Sequence, residues 1–367
     1  MRKRPFARFP FAKKYAMLSS AAYRGKFRKK GLICYDDAAC MEGPRFLTLR
    51  NFTLEETMEH QIFIREAVTD SEIARFFGEL HTYHRRDIFP AAEQAEDLAY
   101  FLSDEYLSQL RTLHERRENR LHFLFFERGG QEIGFAMPAI YETEDGKCFI
   151  MEFCVYPAFR GNGTGHACGE ALLSWARDRG ASCFELNCDA EPRERFWGRL
   201  GFLPNGCDEW GEKLMLRPPE EDAPITVCQF VPGTDDWQLW KLENGYLAEI
   251  GETPLDERKQ AQLLQAIQEE HITFFAAYRK TRMVGMCSVS RVFSTFACAD
   301  IGVFADLFVE PVFRKQGIAR QLASAVQVYC KAICLVSLTV TRAPCDEAMY
   351  RALGFIEKLG TTFAHLS

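Results

Sequence analysis

Arg160, Gly163 and Gly165 stand at the spacing R-x-x-G-x-(G/A), and so do Arg314, Gly317 and Ala319. The first copy lies in Val155-Tyr156-Pro157-Ala158-Phe159-Arg160-Gly161-Asn162-Gly163-Thr164-Gly165. The second begins 154 residues later and reads Val309-Glu310-Pro311-Val312-Phe313-Arg314-Lys315-Gln316-Gly317-Ile318-Ala319. Small residues between an apolar run and a helical pattern leave successive backbone N–H groups pointing at one spot, and a helix dipole adds to their pull on an anion. Gly163 and Gly317 withhold the Cβ that blocks close approach, and they tolerate a positive φ. Arg160 and Arg314 either add charge to the same anion or hold the loop. Other phosphate loops do not fit. Neither copy has the Lys-Ser/Thr of a Walker A loop. Counting G-x-G-x-x-G from Gly161 lands on His166, and from Gly163 on Cys168.

A second chemistry-bearing pair lies just upstream. Glu152 and Asp306 occupy the same place in the two copies, each inside an apolar run. A carboxylate there is costly unless it is paired or faces a cleft. Burial raises its pKa toward the range of a useful base. Each is therefore a proton acceptor or a structural carboxylate that caps backbone or pairs with an arginine.

The elements that must carry these residues can be read from periodicity. Phe149–Val155 and Val303–Val309 are near-continuous apolar runs, as expected of strands buried on both faces. Pro157 and Pro311 end them. His166–Arg179 carries apolar residues at helical spacing and stops at Gly180; Leu322, Ala325, Val326 and Tyr329 repeat the stripe. Each helix is followed by a second one ending in Leu-Gly-Phe, at 200–202 and 353–355. A repeat this long means two copies of one domain, not a solenoid. The first half reads as a strand at 61–67, a helix start at Thr69-Asp70-Ser71-Glu72, helices over 71–85 and 95–118, and strands at 121–127, 132–141, 183–188 and 213–216. The second repeats the order: strand 225–230, helices 237–250 and 256–270, strands 273–279, 283–291, 335–341 and 361–365. The run Pro218-Pro219-Glu220-Glu221-Asp222-Ala223-Pro224 is a linker.

Repeated R-x-x-G-x-(G/A), with V-x-P before it and L-G-F after it, resembles the pyrophosphate-binding motif of the GCN5-related N-acetyltransferases (GNAT). The resemblance covers about residues 60–217 and 224–367. It implies an α/β fold of two tandem sandwich domains, each a mixed, largely antiparallel sheet flanked by helices. It implies acetyl-CoA as co-substrate and a small-molecule or peptide amine as acceptor, with no metal. It implies that Val155, Arg160, Gly161, Asn162, Gly163, Thr164 and Gly165 bind the coenzyme, as do Val309, Arg314, Lys315, Gln316, Gly317, Ile318 and Ala319. The family often places an acid at the position of Glu152 and Asp306 that relays a proton through water. It commonly places a tyrosine, the proton donor to the leaving thiolate, five residues before the phenylalanine of L-G-F. Tyr350 stands there in the second half; Trp197 stands there in the first. The family's asparagine near the preceding strand end is replaced by Ala190 and Ala343. Asp306 and Tyr350 make the second half the expected catalytic one, with Glu152 the candidate base of the first.

Weaker features remain. His81 and His84, with Arg85 and Arg86, either contact an anion or form a solvated basic turn. Ser288–Phe304 either lines the acceptor pocket or connects two strands. Glu185 and Asp189 are alternative proton carriers. The 14 cysteines lack zinc spacing and read as buried thiols of a reducing cytosol.

At 367 residues, 47% apolar and 26% charged, the composition is that of a soluble globular chain with two cores. Residues 1–35 hold eleven Lys/Arg and no acid, so the remainder carries a net charge of −17. The boundaries expected are a basic, disordered extension over 1–58, domains over 59–217 and 225–367, and a linker over 218–224. The leader lacks a secretory h-region, and a cytoplasmic location follows. Three functions compete: a tandem acetyltransferase, a CoA-binding sensor or scaffold without chemistry in one or both halves, and a nucleic-acid binder using the basic leader. The acidic remainder opposes the last.

Overall fold

A computed structural model describes residues 61–90, 95–208, 211–220, 222–233, 235–341 and 344–357. The leader, Ala343 and the strand expected at 361–365 lie outside them.

The first half runs β1 (Phe63–Glu66), α1 (Asp70–Tyr83), α2 (Ala95–Phe101), α3 (Asp104–His114), β2 (Leu124–Arg128), β3 (Gln131–Ile140), β4 (Lys147–Val155), α4 (Thr164–Arg177), β5 (Cys183–Asn187), α5 (Glu191–Arg199), β6 (Leu203–Cys207) and β7 (Lys213–Arg217). The second runs β8 (Ile225–Gln229), α6 (Asp236–Ile250), α7 (Glu257–Gln268), β9 (Ile272–Arg279), β10 (Arg282–Ser294), β11 (Ala299–Val309), α8 (Ile318–Ala332), β12 (Leu338–Val340) and α9 (Glu347–Ala352).

The strands form two sheets, ordered β1-β2-β3-β4-β5-β7-β6 and β12-β11-β10-β9-β8. β4 pairs parallel with β5, and β11 with β12; the other pairings are antiparallel. Both parallel pairings are short. β4 and β5 match only from Lys147/Cys183 to Phe149/Glu185, and β11 and β12 only from Gly302/Leu338 to Phe304/Val340. Beyond those points the two strands part. Glu152 and Asp306 both sit on the parted stretch.

Each sheet is covered on both faces. Phe126, Ile150, Leu172 and Trp197 belong to the core under α4, and Phe76, Phe125, Phe135 and Leu110 to the core under α1 and α3. In the second half Phe304, Phe313 and Leu322 fill the face under α8, and Leu239, Phe274 and Met286 the face under α6. Two-sided burial is the physical reason the central strands read as continuous apolar runs. Thr69 and Glu72 form the reciprocal cap expected of them: the Thr69 hydroxyl accepts from the Glu72 amide, and the Glu72 carboxylate accepts from the Thr69 amide at 3.0 Å.

Four readings need correction. The 95–118 helix is two helices, because Ser103 accepts a bond from the Tyr106 amide and starts a new one. Leu203–Cys207 forms an edge strand despite Pro204 and Gly206, which an edge tolerates. Ser288–Phe304 is the body of a long hairpin: β10 and β11 pair from Ser288/Ala305 to Ser294/Ala299. Cys207, Cys228, Cys298, Cys334 and Cys345 are exposed thiols, whereas seven other cysteines are buried.

Candidate active site

After β4 and β11 the chain makes one 3-10 turn, Pro157–Phe159 and Pro311–Phe313, and enters the loop. Gly163 and Gly317 are the N-caps of α4 and α8, in the left-handed region at φ 79° and 80°. The positive φ is thus required at both positions, and a Cβ there would project into open space in front of the helix. Among the described residues, the amides of Gly161, Asn162 and Gly163 have no acceptor, nor do those of Lys315, Gln316 and Gly317. Two fans of donors at helix N-termini suit a pyrophosphate.

The arginines take the loop-holding alternative. Arg160 Nε donates to the Val155 carbonyl at 2.7 Å, and Nη2 to Asp87 at 2.5 Å. Arg314 Nε donates to the Val309 carbonyl at 2.8 Å, and Nη2 to Glu249 at 2.5 Å. Burial works to raise the Asp87 carboxyl, yet Arg86 and Arg160 hold it down to about 2. Gly165 serves packing as well: a Cβ there would come within 3.2 Å of the Phe196 ring. Ile318 is buried in the core beneath the second loop, where a Cβ on Gly285 would meet it at 3.2 Å. Thr164 is buried and accepts from Arg128 at 3.3 Å. Ala319 packs half-buried on the second core.

The two strand carboxylates have different surroundings. In the first half, α1 ends in one wide π turn, His84–Ile88, that carries the chain inward. His84 becomes fully buried, with Nε2 at 3.0 Å from Glu152 Oε1. Its Nδ1 is buried without a partner among the described residues, and Phe89, Phe101 and Tyr106 surround the ring. Within the 81–86 segment His84 alone is fully buried, whereas Arg85 and Arg86 are exposed as expected of a basic turn. Burial also holds the His81 imidazole below its usual pKa. Nothing in the spacing of His84 pointed to Glu152, because the contact depends on the π turn.

In the second half Asp306 is itself the irregular residue. A register shift falls opposite it on β10, and its φ is +50°. Its Oδ2 accepts from Ser288 Oγ at 2.5 Å, and burial raises its pKa. Across from it α6 supplies Glu243 and Tyr246. Glu243 is 7% exposed, with one carboxylate oxygen lacking a partner among the described residues. Burial, aided by the Asp306 charge, pushes it up to about 8. Tyr246 stands three residues before Glu249, as His84 stands three before Asp87. Burial, then Asp306 and Glu243, raise the Tyr246 pKa. The electrostatic reach of Asp306 also extends to Tyr350 on α9. Tyr350 is half-buried against Phe304 and Phe355, and burial pushes its phenol up to about 12. Asp306 is thus within electrostatic reach of Glu243, Tyr246 and Tyr350, and Tyr246 of Glu243 and Tyr350. Glu243 and Tyr246 were missed in the sequence, where they read as ordinary members of a helical face.

Trp197, the counterpart of Tyr350, is buried in ring contacts with Phe153, Phe196 and Phe202. Ala190 is the N-cap of α5. Glu185 is withdrawn from any proton-carrying role by a buried cluster between the halves. Arg282 is 3% exposed and donates to Asp145 at 2.8 Å, Glu185 at 2.9 Å and Glu310 at 2.7 and 3.0 Å. Lys241 adds 3.1 Å contacts to Glu185 and Glu310, and Lys147 lies 3.9 Å from Glu185. Burial works to raise both glutamates, but the three cations outweigh it and hold Glu185 far below the ordinary range; Arg282 and Lys241 likewise hold Glu310 down. Asp189 is exposed, 4.0 Å from Arg193.

Strands that part beside a helix-capped glycine loop, present twice, define an acyl-CoA transferase architecture. Comparison with known families agrees. The Acetyltransferase (GNAT) family model matches residues 81–202, and the Acetyltransferase (GNAT) domain model matches 243–365. The chain belongs to the GNAT family and carries two of its domains in tandem. No curated protein matches it. Solved structures similar to it include glucosamine-6-phosphate N-acetyltransferase from Arabidopsis thaliana (12% identity, 39% of this chain and 99% of that one, TM-score 0.34). Another is a predicted acetyltransferase from Clostridium acetobutylicum with acetyl-CoA (12%, 39% and 96%, 0.35). A third is AAC(6')-Iy in complex with a bisubstrate analog, CoA-S-monomethyl-acetylneamine (20%, 40% and 99%, 0.35). Among the described residues no helix is long and apolar enough to cross a membrane.

Proposed function

We propose that this acetyltransferase moves an acetyl group from acetyl-CoA to a primary amine of a small molecule or peptide, and that the second half, residues 225–367, is the catalytic one. The carrying observation is the grouping of Asp306, Glu243, Tyr246 and Tyr350 beside the parted end of β11. The 315–317 amides receive the pyrophosphate. Asp306, its pKa raised by burial, accepts a proton from the acceptor ammonium through water. Tyr350 keeps its proton at neutral pH and meets the sulfur as it leaves. The first half, residues 59–217, binds the coenzyme through the 161–163 amides. Its Trp197 offers an indole N–H that can donate a hydrogen bond but is no practical proton source at neutral pH. The location consistent with this reading is the cytoplasm.

A second reading is favoured by the His84–Glu152 pair, which gives the first half a base of its own. Release of CoA thiol across a panel of amines tests both. Tyr350→Phe that slows turnover, with Glu152→Gln near wild type, supports the second half as the enzyme. The reverse pattern moves catalysis to the first. No thiol release with any amine, alongside intact CoA binding, would leave the sensor or scaffold in its place.

A further inference from the structure

The donor loop of the second half is held in part by the first half. Glu310 opens this loop, in the place that Tyr156 fills in the first copy. Its carboxylate is 3% exposed and receives Arg282, which also binds Asp145 and Glu185 of the first half. Two residues along, Val312 donates its amide to Asn205 Oδ1 at 3.3 Å, and Asn205 Nδ2 donates to Glu310 Oε1 at 3.3 Å. Asn205 lies on β6, the edge strand of the first sheet, and is itself 5% exposed. Pro311 also approaches Gly206, where a Cβ would sit 3.9 Å from its ring. By contrast, the arginine bonds that hold the first loop, from Arg160 to Val155 and Asp87, stay within their own half.

Beside this contact is a cavity of about 130 Å³ lined by Asn205, Leu214, Lys241, Gly245, Phe308 and Pro311. Loss of the Asn205 amide would therefore leave the loop somewhere to move. A phosphate cradle depends on converging N–H groups, so a small shift of residues 310–317 costs donor affinity.

We propose that Asn205, with the Arg282 cluster behind it, is a positioning residue for the second donor site, so that the first half completes the coenzyme cradle of the second. This rests on the reading of 315–317 as a pyrophosphate site. It predicts an asymmetric effect from a residue that touches no substrate.

The test is calorimetry with CoA on the full chain, with one cradle closed at a time. In a Gly163→Val background, which leaves the second cradle open, Asn205→Ala should weaken CoA binding roughly threefold to tenfold, the scale of one or two hydrogen bonds. In a Gly317→Val background, which leaves the first cradle open, the same change should leave affinity unaltered. Turnover should show a raised KM for acetyl-CoA with little change in kcat. Asn205→Asp retains side-chain volume and the acceptor for Val312 but faces Glu310 with a like charge. It should give the same asymmetry, and it carries the test if Asn205→Ala does not fold. Unchanged affinity at the second cradle, or equal losses at both, overturns the proposal. Undiminished CoA binding by the Gly163→Val/Gly317→Val double variant instead overturns the cradle reading beneath it.

Discussion

The two halves share a loop and differ at the acid. Both strands turn at V-x-P, both arginines bond the valine carbonyl five residues back and an acid from the first helical layer, and both glycines cap a helix at φ near 80°. Yet Glu152 is paired in the ladder, opposite Met137, and its carboxylate meets buried His84. Asp306 lies in a bulge with left-handed backbone, accepts a hydrogen bond from a serine, and is within electrostatic reach of Glu243 and two tyrosines. A loop geometry built from backbone amides needs little from side chains, so it recurs in both halves. The surroundings of the strand acid depend on neighbours contributed by other elements, and these have diverged.

The largest effect that could break this comparison is expected at the caps. Gly163→Val and Gly317→Val force a β-branched residue to φ near 80° and place its side chain in the open cradle. Backbone strain alone costs about 1–3 kcal/mol. Calorimetry should show CoA binding lost at the altered half and kept at the other. Two unaffected sites would remove the shared-loop side of the comparison.

Next comes the proton donor. Tyr350→Phe should lower kcat by roughly 100-fold, within the span of general-acid effects, with little change in acetyl-CoA affinity. Trp197→Phe should not reproduce that loss. Steady-state kinetics on both variants sharpen the contrast between the α9 and α5 positions.

Asp306→Asn should lower the rate about tenfold at neutral pH, where the acceptor amine is protonated, and less as pH rises and the amine frees itself. Activity of the wild type should rise with pH as Asp306, its pKa raised by burial, ionises. A flat ratio of variant to wild type across pH would argue for a structural carboxylate.

The smallest effect concerns stability. Glu243 is pushed up to about 8. A raised carboxyl costs nothing below its ordinary pKa near 4.5, where folded and unfolded states are both protonated. From there to about 8 the unfolded chain ionises first, so stability falls as pH rises. Glu243→Gln removes the penalty. Its melting temperature should match wild type at pH 4 and exceed it by several degrees at pH 8. An equal gain at both pH values would point to packing rather than charge.

Much of this protein is a property of its sequence alone. The repeated R-x-x-G-x-(G/A), the strand before it and the helix after it are local features, set by glycine's access to positive φ, proline's missing donor and apolar spacing. The reciprocal Thr69–Glu72 cap is local for the same reason. Tertiary structure decided what depends on residues far apart in the chain. His84 reaches Glu152 only through a π turn, Glu243 and Tyr246 reach Asp306 only because α6 packs across β11, and the arginines were assigned to loop or ligand only by the positions of Asp87 and Glu249. Arg282, at the start of β10, gathers acids from both halves. Periodicity reports which face of an element is apolar. It carries no signal for which partner, from another element, will meet a polar side chain on that face, because that pairing is set by packing of whole layers and not by spacing along the chain.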